Sequence, residues 1–104
     1  MAQVSGSDVR RLIIACEAGM GSSVMVANMI ARQLKGFDIK VTHSPVNQLA
    51  AAEPDAVVCH RGLSHRAKQA VPNVPVIAFD MFLGDPRIDA VIRAIKEGLV
   101  ISDD

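Results

Sequence analysis

The sequence is poor in several residue types, and each shortage narrows the possible functions. Among its 104 residues it has no Trp or Tyr, three Phe and two Cys. Lys and Arg balance Asp and Glu at eleven each, so no excess positive charge is present to hold a nucleic-acid backbone. No apolar run reaches the roughly 18 residues of a membrane span. We therefore expect neither nucleic-acid binding nor direct insertion into a membrane.

The length predicts one domain covering residues 1–104, with its core over about residues 10–100. The first eight residues lack the basic and apolar regions of a signal peptide, so we expect a cytoplasmic protein. Cys16 and Cys59 are too far apart for a C-x-x-C redox or zinc pair, and cytosolic thiols are normally reduced. Each cysteine is therefore judged alone.

Short apolar runs alternate with segments of helical periodicity along the chain. Strands are predicted near residues 12–15, 37–42, 56–59 and 74–79, and helices near 22–34, 46–52, 63–71 and 86–99, with a cap at Gly36. Residues 3–8 and 102–104 are predicted to be polar termini. This order is typical of an α/β fold in which a four-stranded parallel sheet is covered by helices on both faces, an open Rossmann-like three-layer sandwich.

Ligands of open parallel sheets bind beyond the carboxyl ends of the strands. This rule selects residues 16–23, 43–47, 60–62 and 80–85. Within the first of these segments, two glycines let backbone N–H groups turn inward, and a helix N-terminus follows, so the loop is predicted to hold an anion such as phosphate. The same donors favour a thiolate, the nucleophilic form of cysteine.

We therefore interpret Cys16 as a nucleophile, although a cysteine at the end of a buried strand can also serve as a small apolar side chain. The predicted phosphate-binding residues are Glu17, Ala18, Gly19, Met20, Gly21, Ser22 and Ser23. The loop has neither the Gly-Lys-Ser/Thr ending of a Walker A motif nor the third glycine of a dinucleotide fingerprint. No nucleotide or other cofactor is expected.

The other reactive side chains are predicted to be structural. Cys59 lies inside a strand without glycines after it. His43, His60 and His65 lack the spacing of metal ligands and are interpreted as polar surface residues, so no metal site is expected. Asp85 could supply an acid, but Asp-Pro is equally a helix-start pattern. Asp80 and Asp89 could also supply an acid.

The phrase A-C-E-A-G-M-G-S-S at residues 15–23 closely resembles the IIB components of the bacterial sugar phosphotransferase system (PTS), and among them the mannitol type. The stretch V-V-C-H-R-G-L-S-H-R-A at residues 57–67 is similar to a second part of that family, and the likeness extends over residues 11–98. Glu17 departs from the more familiar Asp, and Gly62 and His65 stand where acidic residues are common. These departures bear on the sugar branch.

The resemblance implies that Cys16 receives a phosphoryl group from a phosphohistidine on an EIIA partner. It then passes the group to a sugar alcohol, such as mannitol, held by a membrane EIIC partner. Residues 17–23 would cradle the phosphoryl oxygens. Docking contacts are predicted at Met20 and at Met81 with Phe82, whereas Met25 and Met29 are assigned to helix packing.

Two other classes of protein stay open. Low-molecular-weight tyrosine phosphatases and arsenate reductases also place a cysteine and an anion loop after the first parallel strand, but in the phosphatase signature C-x5-R the arginine position falls on Ser22. Asp85 and Pro86 resemble the acid-bearing loop of those enzymes. The third class is a regulatory module in which the loop is only structural.

Overall fold

The computed structural model describes residues 2–17, 22–81 and 84–103, with Ser22 described only through its backbone. Strands and helices follow one another as β1 (Gln3–Ser5), β2 (Arg11–Cys16), α1 (Ser22–Gln33), β3 (Lys40–Pro45), α2 (Leu49–Ala52), β4 (Ala56–His60), α3 (Ser64–Ala70), β5 (Val76–Phe79), α4 (Pro86–Glu97) and β6 (Val100–Ser102). Short 3-10 turns occupy Gly6–Asp8, Val46–Gln48 and Arg61–Leu63.

Four of these strands form a parallel sheet in the order β3-β2-β4-β5. β2 lies inside the sheet, and five of its six residues are buried. This explains its continuous apolar run, because a strand that is covered on both faces needs no polar alternation. The predicted four-stranded parallel sheet is confirmed.

Helices cover both faces of this sheet, as predicted. Alternate residues of β2 and β4, such as Ile14 and Val58, pack with α1 and α4 in one core cluster. The residues between them, such as Ala15 and Cys59, pack with α2 and α3 in a second cluster. We call these two sides the α1/α4 face and the α2/α3 face.

The chain ends, predicted only as polar termini, enter a second, two-stranded antiparallel sheet in the described chain, which was not predicted. β1 pairs with β6, and Val4 lies opposite Ile101, which is buried. The Asp103 carboxylate accepts hydrogen bonds from the backbone N–H groups of Val76, at 2.6 Å, and Ala2, at 3.2 Å. Strands of three residues are too short to show a period, and only the distant partner reveals them.

Several predicted boundaries also shift. β3 runs from Lys40 to Pro45 rather than over residues 37–42. A proline is tolerated there because β3 is an edge strand and Pro45 is its last residue. Helix α1 ends at Gln33, and Gly36 follows in a turn with φ +96°.

Within the part of the chain that the structure describes, no helix has the length and apolar character needed to cross a lipid bilayer. The longest helices, α1 and α4, have 12 residues each, whereas a bilayer span takes about 20.

Candidate functional site

Cys16 is the last residue of β2, at the carboxyl edge of the parallel sheet. On one side it pairs with Pro45 of β3. On the other side of β2, the register with β4 ends where Ala15 pairs with Cys59, one residue before Cys16 and His60. His60 in turn pairs with Phe79 of β5. Cys16 has a free thiol and is 6% exposed.

The segment that follows Cys16 is described only at its two ends. Glu17 is exposed, and its Oε1 accepts a hydrogen bond from Arg66 Nη1 at 2.9 Å. Residues 18–21 of the predicted phosphate-binding loop lie outside the described residues, as does the side chain of Ser22. Ser22 begins α1, and the side chain of Ser23 is buried, at 5% exposure.

Helix α1 therefore begins one short connection after Cys16. Its N-terminal backbone N–H groups and its dipole favour an anion at that end. The helix has 12 residues, so its dipole is well developed. The prediction of an anion-binding connection between strand and helix is thus compatible with the positions of Cys16, Ser22 and Ser23.

The side chain of His60 makes specific contacts that the predicted role of a polar surface residue did not include. Its side chain caps the turn Arg61–Leu63, with Nδ1 accepting a hydrogen bond from the Gly62 N–H at 3.2 Å. Its ring also packs edge-on against Phe79, with ring centroids 5.8 Å apart and planes at 88°. The sequence contained no pattern for this role, because the neighbour of His60 across the sheet depends on strand register.

Asp85 caps α4 and organises the connection between β5 and α4. It is buried, and its carboxylate accepts hydrogen bonds from the backbone N–H groups of Asp80 at 2.8 Å, Met81 at 3.0 Å and Arg87 at 2.8 Å. Burial raises the pKa of Asp85, but these three N–H donors outweigh that effect and hold the pKa below 3.8. Asp85 is therefore a poor proton donor at neutral pH.

Asp80 is held by a different partner. Arg61 Nε donates to Asp80 Oδ1 at 2.7 Å, and Arg61 Nη2 donates to Oδ2 at 3.4 Å. The hydrogen bond from Arg61 is the main cause that lowers the pKa of Asp80. Asp80 is thus a second carboxylate that stays ionised, and Asp89 is an exposed residue of the first turn of α4.

The remaining predicted residues are separated by the fold. Cys59 is completely buried on the α2/α3 face, as its structural role predicts. His43 lies exposed on the edge strand and His65 lies exposed on α3. Over residues 2–17, 22–81 and 84–103, no three His, Cys, Asp or Glu side chains gather as metal ligands would.

The exposure of the methionine side chains agrees only in part with their predicted roles. Met29 is half-buried and packs against the core, as expected. Met25 is 45% exposed, so its assignment to helix packing is wrong: its position on α1 faces away from the sheet. Met81 is 51% exposed, as a docking contact requires. Met20 and Phe82 lie outside the described residues.

Comparison with known proteins identifies the family. Residues 11–94 match a family model described as PTS system, Lactose/Cellobiose specific IIB subunit. The chain is 38% identical over 97 residues to the PTS system mannitol-specific EIICB component of Bacillus subtilis (strain 168), covering 91% of this chain and 20% of that protein. The corresponding component of Geobacillus stearothermophilus is 35% identical over 97 residues, with the same coverage.

A mannitol-specific EIICBA component of Vibrio cholerae is 37% identical over 83 residues, covering 78% of this chain and 13% of that protein. The chain spans about a fifth of the length of the first two relatives. The resemblance to the mannitol type that residues 15–23 indicate is confirmed by these matches. Because the family model extends from the start of β2 into α4 and so covers the whole parallel sheet, the chain belongs to the family of PTS IIB subunits.

Proposed function

We propose that residues 1–104 form a single IIB domain that relays a phosphoryl group through Cys16. The donor is a phosphohistidine on an EIIA partner, and the acceptor is a sugar alcohol such as mannitol, bound by a membrane EIIC partner. The observation that carries the proposal is the position of Cys16, at the carboxyl end of an inner strand and one short connection before α1.

The relay consists of two substitutions at phosphorus. In the first, the P–N bond of the donor breaks as a P–S bond forms to Cys16 Sγ, and the proton of the thiol is transferred to the departing imidazole. In the second, the P–S bond breaks with the Cys16 thiolate as the leaving group, while a P–O bond forms to a sugar hydroxyl whose proton passes to a base. Both steps depend mainly on positioning and on electrostatic stabilisation of the phosphoryl oxygens.

The predicted phosphate-binding residues stay part of this proposal. Backbone N–H groups of residues 17–23 would take the phosphoryl oxygens, and the hydroxyl of Ser22 or Ser23 would add a donor. Glu17 places a negative charge one residue after Cys16, and this charge would oppose a bound phosphoryl group. Its ion pair with Arg66, at 2.9 Å, balances that charge.

The partners and the sugar follow from similarity alone. Mannitol-specific relatives favour a sugar alcohol, whereas the family description names lactose and cellobiose. We expect the chain to act at the cytoplasmic face of the membrane, where EIIA and EIIC partners would both reach Cys16. The chemistry requires neither a metal nor an organic cofactor.

A transfer assay tests the proposal. The chain is mixed with phosphorylated EIIA proteins of several sugar branches, and the phosphoryl group is located by mass spectrometry under conditions that preserve thiophosphate esters. We expect one phosphoryl group on Cys16, loss of uptake in Cys16→Ser, and retained uptake in Cys59→Ser. A phosphoryl group on His43, His60 or His65 instead would refute the phosphocysteine relay, and the fastest EIIA donor identifies the sugar branch.

The phosphatase alternative predicts a different product. In this chain, Ser22 occupies the position of the phosphatase arginine. The carboxylate of Asp85 already accepts hydrogen bonds from three backbone N–H groups. We therefore expect negligible release of phosphate from aryl phosphates. Turnover at even about 1 s⁻¹, the low end of ordinary enzyme rates, would replace the relay by a hydrolase.

A further inference from the structure

A cavity of about 320 Å³ lies on the α2/α3 face of the sheet, near the amino ends of β2 and β3. The residues that line it come from these two strands and from α2, and they are Arg11, Ile13, Lys40, Thr42 and Ala52. Helix α2 has only four residues, and it leaves Lys40 exposed and Thr42 half-buried. The volume lies at the lower end of the range for small-molecule sites.

Two cations lie opposite each other on the strands that line this cavity. Arg11 and Lys40 are partners in the parallel register of β2 and β3, and neighbouring strands lie about 4.8 Å apart. Like charges at directly opposite positions destabilise a sheet, so this arrangement favours an anion between the two side chains. Thr42, the next residue on the same face of β3, adds a hydroxyl group to the cavity.

Neither cation is closely paired with a carboxylate among the described residues. Arg11 Nη1 lies 4.0 Å from Glu53 Oε2, which is too far for a hydrogen bond, and exposed pairs of this kind contribute little to stability. The side chain of Lys40 makes no ion pair or hydrogen bond with any other residue that the structure describes. The nearby Asp55 carboxylate already accepts the backbone N–H groups of Arg10 and Arg11, at 2.8 and 2.9 Å. Both cations can therefore contact a ligand.

The cavity is separate from the site at Cys16. Arg11 is the first residue of β2 and Cys16 is the last, so five steps of about 3.3 Å separate the two positions by roughly 16 Å. The cavity thus lies towards the amino edge of the sheet, whereas Cys16 lies at the carboxyl edge. A small ligand bound in the cavity would not contact a phosphoryl group on Cys16.

We propose that this cavity binds a small phosphate monoester. The Arg11 guanidinium can donate two parallel hydrogen bonds to phosphate oxygens, Lys40 supplies a second positive charge, and the Thr42 hydroxyl adds a donor. Ile13 and Ala52 would contact the organic part of the ligand. A free phosphate ion, with about the volume of two water molecules at roughly 30 Å³ each, would fill only part of the cavity. The site does not depend on the proposed relay.

NMR titrations test the proposal because they report the cavity and the Cys16 edge separately. The amide and methyl resonances of Thr42 and Ala52 are followed while mannitol 1-phosphate, a phosphate monoester of a sugar alcohol, is added. Mannitol and inorganic phosphate are titrated in the same way. We expect saturable shifts with the ester, none with mannitol, and weaker binding of inorganic phosphate. Absence of saturable shifts with the ester, or inorganic phosphate binding as tightly, would overturn the proposal.

Substitutions of exposed side chains, which the fold should tolerate, test the assigned contacts. Arg11→Gln and Lys40→Gln should each weaken binding of the ester about threefold, whereas Glu53→Gln should strengthen it about twofold because a competing negative charge is removed. Lys96→Gln is the matched control, since Lys96 is an exposed lysine of α4 that has no ion pair among the described residues. If Lys96→Gln weakens binding as much as Lys40→Gln does, binding follows net charge alone and the assigned site is wrong.

An acidic segment of a partner protein is the main alternative ligand. A short poly-glutamate peptide is titrated for comparison, and tighter binding of this peptide at Thr42 would replace the phosphate ester by a protein contact. The ester is also titrated into Cys16→Ser, which should bind it with unchanged affinity; loss of the Thr42 shifts in that variant would contradict a separate site. If Cys16 accepts no phosphoryl group while the cavity binds the ester, the relay fails and the cavity site stands.

Discussion

Removing the Asp85 carboxylate should destabilise the fold by an amount that the structure allows us to estimate. Its Oδ1 accepts the N–H of Arg87 at the start of α4, and its Oδ2 accepts the N–H groups of Asp80 and Met81. Loss of a helix cap costs about 1 kcal/mol, and each N–H left without its acceptor costs about 1 kcal/mol more. Asp85→Ala should therefore lower the free energy of unfolding by about 3 kcal/mol.

Asp85→Asn is the more informative change because it removes only part of the network. A single amide oxygen can replace either Oδ1 or Oδ2, so one group of N–H donors loses its acceptor. We expect a loss of about 1.5 kcal/mol, measured by urea unfolding at pH 7. Asp89→Asn, an exposed residue in the first turn of the same helix, is the control and should change the free energy of unfolding by less than about 0.5 kcal/mol.

The pH dependence of this difference tests the cause. The pKa of Asp85 in the folded chain is lowered below 3.8, so folding favours its ionised form. That contribution is complete above the pKa of the unfolded chain and is lost as the pH falls through the folded pKa. The stability difference between wild type and Asp85→Asn should therefore shrink as the pH falls from the ordinary titration range of a carboxyl group through the lowered pKa of the folded chain. A difference that stays constant over that range would contradict the assigned role of the carboxylate.

Three further predictions concern the two cysteines, the N-terminal turn and the ion pair beside the site. Iodoacetamide should alkylate Cys16 faster than the fully buried Cys59, and phosphate should slow that reaction; faster labelling of Cys59 would remove the basis for the nucleophile. In thermal unfolding, Gly6→Ala should be strongly destabilising because the added Cβ would overlap the α4 backbone. Gly62→Ala should be nearly neutral, since its Cβ would meet only a ring nitrogen of His60 at 3.5 Å. Equal effects of the two substitutions would contradict the packing of Gly6 against α4. Arg66→Ala should lower the free energy of unfolding by less than about 1 kcal/mol but should slow phosphoryl uptake, because the charge of Glu17 then lacks its partner. High salt should reduce this difference in rate from the wild type. A difference that does not depend on salt would argue that Arg66 does not act by balancing the charge of Glu17.

The parallel sheet could be predicted because its information is local. The runs at residues 12–15 and 56–59 are continuously apolar, which indicates strands covered on both faces, and the observed β2 and β4 contain them. The Asp-Pro pair at residues 85–86 gave the start of α4 correctly, with Asp85 as its cap. In each case the physical cause of the element lies within a few residues of the element itself.

The second sheet could not be predicted for the converse reason. Neither β1 nor β6 has enough residues for a period, and each is stabilised by the other and by Asp103, whose carboxylate accepts the N–H of Val76 far away in the sequence. Gly6 likewise shows no reason for its small size until α4 packs against it. These features depend on contacts between distant segments, which composition and periodicity do not encode.

The same distinction applies to the site. The cysteine, its glycines and its serines are contiguous, so the loop could be interpreted as an anion site from residues 16–23 alone. His60 is contiguous with none of them, and its position at the same edge of the sheet follows from the pairing of Ala15 with Cys59. The sequence of neither strand, taken alone, specifies which of its residues pair with the other strand.

This arrangement also suits a relay better than a hydrolase. A free guanidinium over Cys16 would hold the phosphoryl group tightly, whereas a relay must both accept the group and release it. Among the described residues, Arg61 and Arg66 are each paired with a carboxylate. The phosphoryl group would then be bound through neutral N–H and O–H groups, whose hydrogen bonds are individually weaker than those of a cation. In the proposed relay, transfer of the group to a sugar hydroxyl would be easier for that reason, and Ser22 in place of the phosphatase arginine fits this requirement.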